Sequence, residues 1–83
     1  MEKSIYTREY QVLLRLLRET REAAGVTQME LAKRLAQTQS FVSKVELGDR
    51  RLDLVQLHTI LTALGAGLGE FVARYEAALS KTP

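Results

Sequence analysis

Apolar positions recur at helical spacing through almost the whole chain, and turn residues divide them into five segments. The first predicted helix runs from about Thr7 to Ala24. Leu13, Leu17, Thr20 and Ala24 follow one another at spacings of four, three and four, with Leu14 and Leu16 widening the stripe. Gly25 is placed to stop it. The second begins at Thr27, where Thr27 and Glu30 form an S/T-x-x-E capping box that satisfies otherwise orphaned backbone donors. Leu31, Ala32 and Leu35 make its inner face, and the small Ala32 lets a neighbouring helix come close. The third starts near Thr38, an N-cap residue, and ends before Gly48. Val42 and Val45 point inward, which turns Gln39, Ser40, Ser43 and Lys44 outward.

The fourth segment opens at Asp53 with a box-like partner at Gln56. Its stripe is Leu54, Leu57, Leu61 and Leu64, and Gly65 follows as the stop. Residues 51–57 also alternate like a strand, but the pattern continues at helical spacing for three more turns, which favours helix. The fifth runs from about Leu68, with Phe71, Val72, Tyr75 and Leu79 on one face. Gly67 takes the cap position and Glu70 complements the helix N-terminus. Five short helices with short connections predict a compact all-α domain.

Length fits one domain over residues 1–83, with a modest core for its size. Hydrophobic residues make up 46% of the chain, enough to fold. The absence of cysteine excludes a disulfide framework and thiolate chemistry, and fits a reducing cytoplasm. Met1 to Tyr6 carries no apolar stretch of a secretory signal, and no apolar run approaches a membrane span, so no membrane association is expected. The sequence does not say whether these first six residues form an arm or a frayed start. No repeat or proline-rich linker interrupts the chain, and the single proline is Pro83.

The net charge of +2 is too small to identify a partner. Its distribution says more. Lys33, Arg34, Lys44, Arg50 and Arg51 outweigh Glu46 and Asp49, so residues 33–51 carry +3. A local basic surface beside a polar helix face suits phosphate attraction, although a solvated charged face would look the same. Catalytic patterns do not emerge. The single histidine, His58, lies beside the stripe of the fourth helix. Ser40 and Ser43 have no partner base, the carboxylates lack metal-ligand spacing, and no glycine-rich phosphate loop is present. No enzyme activity, metal or cofactor is expected.

The second and third helices with their tight turn form a helix-turn-helix over about 27–47, whose second helix can enter the DNA major groove. Here the residues become specific. Thr27-Gln28-x-Glu30-Leu31-Ala32, followed by Thr38-Gln39-Ser40-x-Val42-Ser43-Lys44-x-Glu46-x-Gly48, resembles the phage-repressor-like, XRE-type helix-turn-helix family that includes the lambda repressor and Cro proteins. The eleven-residue spacing of Gln28 and Gln39 matches too, and the resemblance covers residues 13–75. It implies a compact five-helix, lambda-repressor-like DNA-binding domain.

By this resemblance Gln28 contacts a phosphate and braces Gln39, the first glutamine of the recognition helix. The Gln39 amide suits the paired acceptor and donor of adenine N7 and N6. Ser40 and Lys44 lie at base-facing positions, Lys44 toward guanine or a phosphate. Thr38 and Ser43 fall at phosphate or base-edge positions. Arg50 and Arg51 follow the recognition helix in a loop that lies on the DNA backbone. Arg21 and Glu46 correspond to an internal ion pair that fixes how the recognition helix is presented. Phe41, exposed by pattern, reads two ways: a contact to a thymine methyl or a sugar, or partial burial against Gln37 or the loop. One departure is Ala36, where the family usually has glycine in the turn.

The implied function is a sequence-specific transcriptional regulator, a Cro/C1-type repressor among the possibilities, with residues 38–47 in the major groove of double-stranded DNA. A homodimer on a near-palindromic operator is expected, because one recognition helix reads only a few base pairs. The last helix, about 68–79, supplies a possible dimer contact through Ala78 and Leu79. No small-molecule cofactor is implied, and the expected location is the cytoplasm, at the nucleoid, in a bacterial or phage-encoded setting. Phage regulators, controller proteins and antitoxins all fit. The rival reading is a helical protein-interaction module, or an antitoxin-type subunit that binds DNA only in complex. Phe41 is the residue that favours it.

Overall fold

A computed structural model describes residues 7–81; Met1 to Tyr6, Thr82 and Pro83 lie outside the described residues. Five helices follow in order: α1 (Arg8–Ala23), α2 (Gln28–Leu35), α3 (Gln39–Leu47), α4 (Leu54–Ala63) and α5 (Leu68–Lys81). Among the described residues there is no strand; of the strand-like 51–57, residues 51–53 are loop and 54–57 open α4.

Each of the first four helices starts on a side-chain cap. The hydroxyls of Thr7, Thr27 and Thr38 and the carboxylate of Asp53 accept from a backbone N–H near the first turn. At Thr27 the box is reciprocal: Glu30 N–H donates to Thr27 Oγ1 (3.1 Å) and Thr27 N–H donates to Glu30 Oε1 (2.8 Å). The Thr27 N–H bond, then the Thr27 side chain, hold the Glu30 carboxyl below its ordinary pKa. Asp53 and Gln56 make the same box at α4. Gly67 takes the corresponding place at α5, where its carbonyl accepts from Phe71 N–H at 3.0 Å.

The core lies between α1, α3 and the α2–α4 pair, with α5 closing it against α1 and α4. Leu17, Val42, Val45 and Leu61 are its most deeply buried side chains. Three stripes sit differently from their sequence reading. In α1, Leu14, Leu16, Leu17, Thr20 and Arg21 are buried, Leu13 is half-buried and Ala24 is exposed. The helix is rolled toward Leu16 and Arg21 because Arg21 has a partner inside. In α4, Ile60 joins Leu57, Leu61 and Leu64 in the core, while Leu54, directly after the cap, is 65% exposed. In α5 only Phe71 is buried. Tyr75, Ala78 and Leu79 are half-buried and Val72 is exposed. Ala78 packs on the core, Tyr75 Oη donates to the Glu9 carbonyl (3.1 Å), and the Leu79 carbonyl accepts from Arg8. The end of α5 is therefore largely occupied within its own chain.

Among the described residues, helix ends at Gly25, Gly48 and Gly65 have positive φ, and the one other residue that does so is Ala36 (φ 56°, ψ 41°). Gln37 N–H reaches back to the Ala32 carbonyl (2.8 Å), a bond that requires the left-handed residue between them. The sharp turn into α3 is thus made without glycine. A left-handed Cβ costs about 1–2 kcal/mol. Glycine would add back about 0.4–1 kcal/mol of unfolded-chain entropy. Ala36→Gly is therefore expected to stabilise the protein by up to about 1 kcal/mol, raising Tm by a few degrees. A Tm at or below that of the wild type in a thermal melt would contradict the strain assigned to this turn.

Candidate nucleic-acid interface

The start of α3 is tied to the core by a chain of side-chain bonds. Arg21, buried on α1, grips Glu46 of α3 with two donors, Nε to Oε2 at 2.6 Å and Nη2 to Oε1 at 3.1 Å. Its third donor, Nη1, bonds the Val26 carbonyl at 2.8 Å. Gln28, the first residue of α2, donates from Nε2 to Glu46 Oε1 at 2.9 Å. Gln39, the first residue of α3, donates from Nε2 to Gln28 Oε1 at 3.3 Å.

The chemistry of the ends sets the direction of the whole chain. A guanidinium only donates and a carboxylate only accepts. Gln28 must therefore turn its NH2 toward Glu46 and its carbonyl toward Gln39. Gln39 in turn must direct its NH2 toward Gln28. Its carbonyl oxygen and second N–H remain for another partner, a donor–acceptor pair that matches adenine N6 and N7. Burial of a charge far down the chain thus fixes which atoms an exposed amide presents.

The hydrogen bond to Glu46 raises the Arg21 pKa, outweighing the lowering effect of burial. A raised cationic pKa stabilises the fold below the unfolded value. That covers every pH at which the protein would be handled, so Arg21 keeps its charge there and its stabilising effect is not lost as the pH rises.

The other residues of the face fall as follows. Ser40 and Lys44 are exposed and Ser43 is half-buried. Thr38 is exposed, but its oxygen already accepts from Phe41 N–H (3.1 Å), which leaves the hydroxyl proton to donate. Arg50 and Arg51 are exposed in the loop after α3. Arg34, one of the basic cluster, instead donates to the Ala63 carbonyl at the end of α4 (2.8 Å), tying α2 to α4. Of the two readings of Phe41, the structure shows partial burial: the ring is half-buried against the core, with the Arg50 guanidinium 4.9 Å from its centroid.

Two contributors had no signal in the local pattern. Tyr10 of α1 accepts Leu52 N–H on its hydroxyl (3.4 Å) and underlies Arg51, whose guanidinium is 5.4 Å from the ring centroid. The Gln28–Glu46 bond joins residues eighteen apart on different helices. Only the packed fold brings either together.

Arg21→Ala would leave Glu46 buried and uncompensated, an expected cost of about 3–5 kcal/mol in denaturant unfolding. The double variant Arg21→Met/Glu46→Leu should recover most of it, because both desolvated charges leave together. Losses that simply add would show that the two side chains act independently.

Against known proteins, a family profile described as a helix-turn-helix domain matches residues 12–78. A solved structure of an XRE-family like protein from Pseudomonas syringae pv. tomato is 44% identical, with a TM-score of 0.82 over 96% of this chain and 94% of that one. The clp gene regulator ClgR from C. glutamicum is 25% identical, with a TM-score of 0.74 over 90% of this chain and 96% of that one. A search of curated protein sequences finds no match. The profile covers most of the chain, and both solved structures superpose on it nearly end to end. This chain belongs to the XRE-type helix-turn-helix family of DNA-binding regulators, and it is not an enzyme.

Proposed function

We propose that this DNA-binding transcriptional regulator reads duplex DNA in a sequence-specific way, as a homodimer that inserts α3 into the major groove at each half of a near-palindromic site. The observation that carries the reading is the chain from Arg21 through Glu46 and Gln28 to Gln39. It supports an exposed amide of fixed polarity at the tip of α3, the requirement for bidentate reading of one base. In this reading Gln39, Ser40 and Lys44 face base edges, with Thr38 at the margin. Gln28, Ser43, Arg50 and Arg51 contact phosphates. The likeness to a clp gene regulator supports a role in transcription. The setting is the cytoplasm, at the nucleoid.

Dimer formation through α5 rests on Val72, which is 40% exposed, and on the open side of Leu79. The second reading, a module that works with a protein partner, draws on Leu47 and Val55, exposed by 67% and 73% at the ends of α3 and α4. Phe41 no longer supports it, since its ring is turned into the fold.

Selection from a random duplex library at near-physiological salt, with sequencing of the enriched DNA, tests the proposal. A motif with two-fold symmetry is expected, with half-sites about 34–36 Å apart, one helical turn. No enrichment by folded protein would overturn direct reading and favour the partner-dependent one. On the selected site, Gln39→Ala should cost roughly 1–3 kcal/mol per half-site and relax preference at one base pair. Unchanged discrimination in competition binding would remove Gln39 from the base-reading set.

A further inference from the structure

The loop between α3 and α4 is held more firmly than its length suggests. Asp49 and Arg50 N–H both donate to the Lys44 carbonyl, at 2.9 and 3.2 Å. Leu52 N–H donates to the Tyr10 hydroxyl, and Asp53 caps α4 through its carboxylate. The backbone on both sides of Arg50 and Arg51 is thereby fixed. Their side chains remain exposed, and each lies over an aromatic ring, Arg50 over Phe41 and Arg51 over Tyr10. Both rings are half-buried and packed or bonded in place, so each is a rigid support. Among the described residues neither guanidinium forms an ion pair with a carboxylate, so both charges stay unneutralised.

We propose that Phe41 and Tyr10 are positioning residues for DNA binding, which hold the guanidinium groups of Arg50 and Arg51 ready to grip two backbone phosphates. This rests on the DNA-binding reading above and deepens it, since Phe41 then acts through Arg50 and not by touching a sugar or a methyl group. A guanidinium has five N–H donors, and a ring on one side of it cannot use them all, so an arginine held over a ring can still donate to a phosphate. A free arginine loses much rotamer freedom when it binds. One already laid on a ring loses less, and the difference appears as affinity. The contact contributes no sequence information, so its effect is the same on every duplex.

The test is a double-mutant cycle at positions 41 and 50, read by binding to mixed-sequence duplex DNA over a range of salt concentrations. Phe41→Leu should weaken binding about two- to fivefold, the range of an exposed cation–π contact, with the salt slope unchanged because the charge remains. Arg50→Ala should flatten the slope by about 0.9 per bound protomer. In the Arg50→Ala background, Phe41→Leu should cost nothing further. Phe41→Trp, which keeps an aromatic face under Arg50, should bind as tightly as the wild type. Arg50→Lys, which leaves the packing of Phe41 intact, should keep the slope but lose affinity. That result holds even where Phe41→Leu proves too unstable to use. Tyr10→Leu and Arg51→Ala form the parallel cycle. An equal cost for Phe41→Leu with and without Arg50, or an Arg50→Lys that binds like the wild type, would overturn the support role. A slope unmoved by Arg50→Ala would instead remove the loop from the DNA surface, a failure of the underlying reading.

Discussion

The buried pair of Arg21 and Glu46 is the constraint on which the arrangement of this molecule depends. Two charges taken out of water must be satisfied almost completely or they destabilise the fold. Arg21 meets that demand with both oxygens of Glu46 and the Val26 carbonyl, so one side chain joins α1, the connection to α2, and α3. The angle of α3 to the body cannot drift without breaking several short bonds at once. A core of leucine and valine alone would tolerate small rolls and slides, because apolar contact has little directional preference. The ion pair supplies the direction.

From that pair the constraint passes outward. Glu46 has acceptor capacity left for Gln28, and Gln28 has a carbonyl left for Gln39. Each step is a weak interaction on its own, and Gln39 is exposed. The sense of the chain is nevertheless forced from its buried end. In the proposed reading this polarity matters, because a glutamine amide that flips freely cannot favour adenine over other bases. The loop arginines meet the same difficulty by another route, with aromatic rings in place of hydrogen-bonded partners.

Much of this was legible along the chain. Caps at Thr27, Thr38 and Asp53 and the glycine stops fixed the helix starts and ends to within a residue or so, because capping is local chemistry between neighbours in sequence. The inward positions of α2 and α3 were equally plain, since short helices offer little freedom in which face they bury. The stripe of α1 was not: periodicity allowed Ala24 a place inside and gave no reason to bury Arg21. Leu54 carried the same ambiguity in α4, where a residue just past the cap projects beyond the packed surface.

The sequence by itself determined the five helices, the helix-turn-helix motif and the face of α3 that turns outward, because each follows from spacing and capping within a few residues. Ala36 in the turn was visible too, but its left-handed conformation depends on where α3 must go. Only the tertiary structure decided that Phe41 turns inward beneath Arg50, that Tyr10 underlies Arg51, that Arg34 is used to brace α4, and that the end of α5 packs on α1 and the core. These contacts join residues nine to more than seventy positions apart. No local pattern encodes such partners; they exist once burial of the common core has brought the helices together.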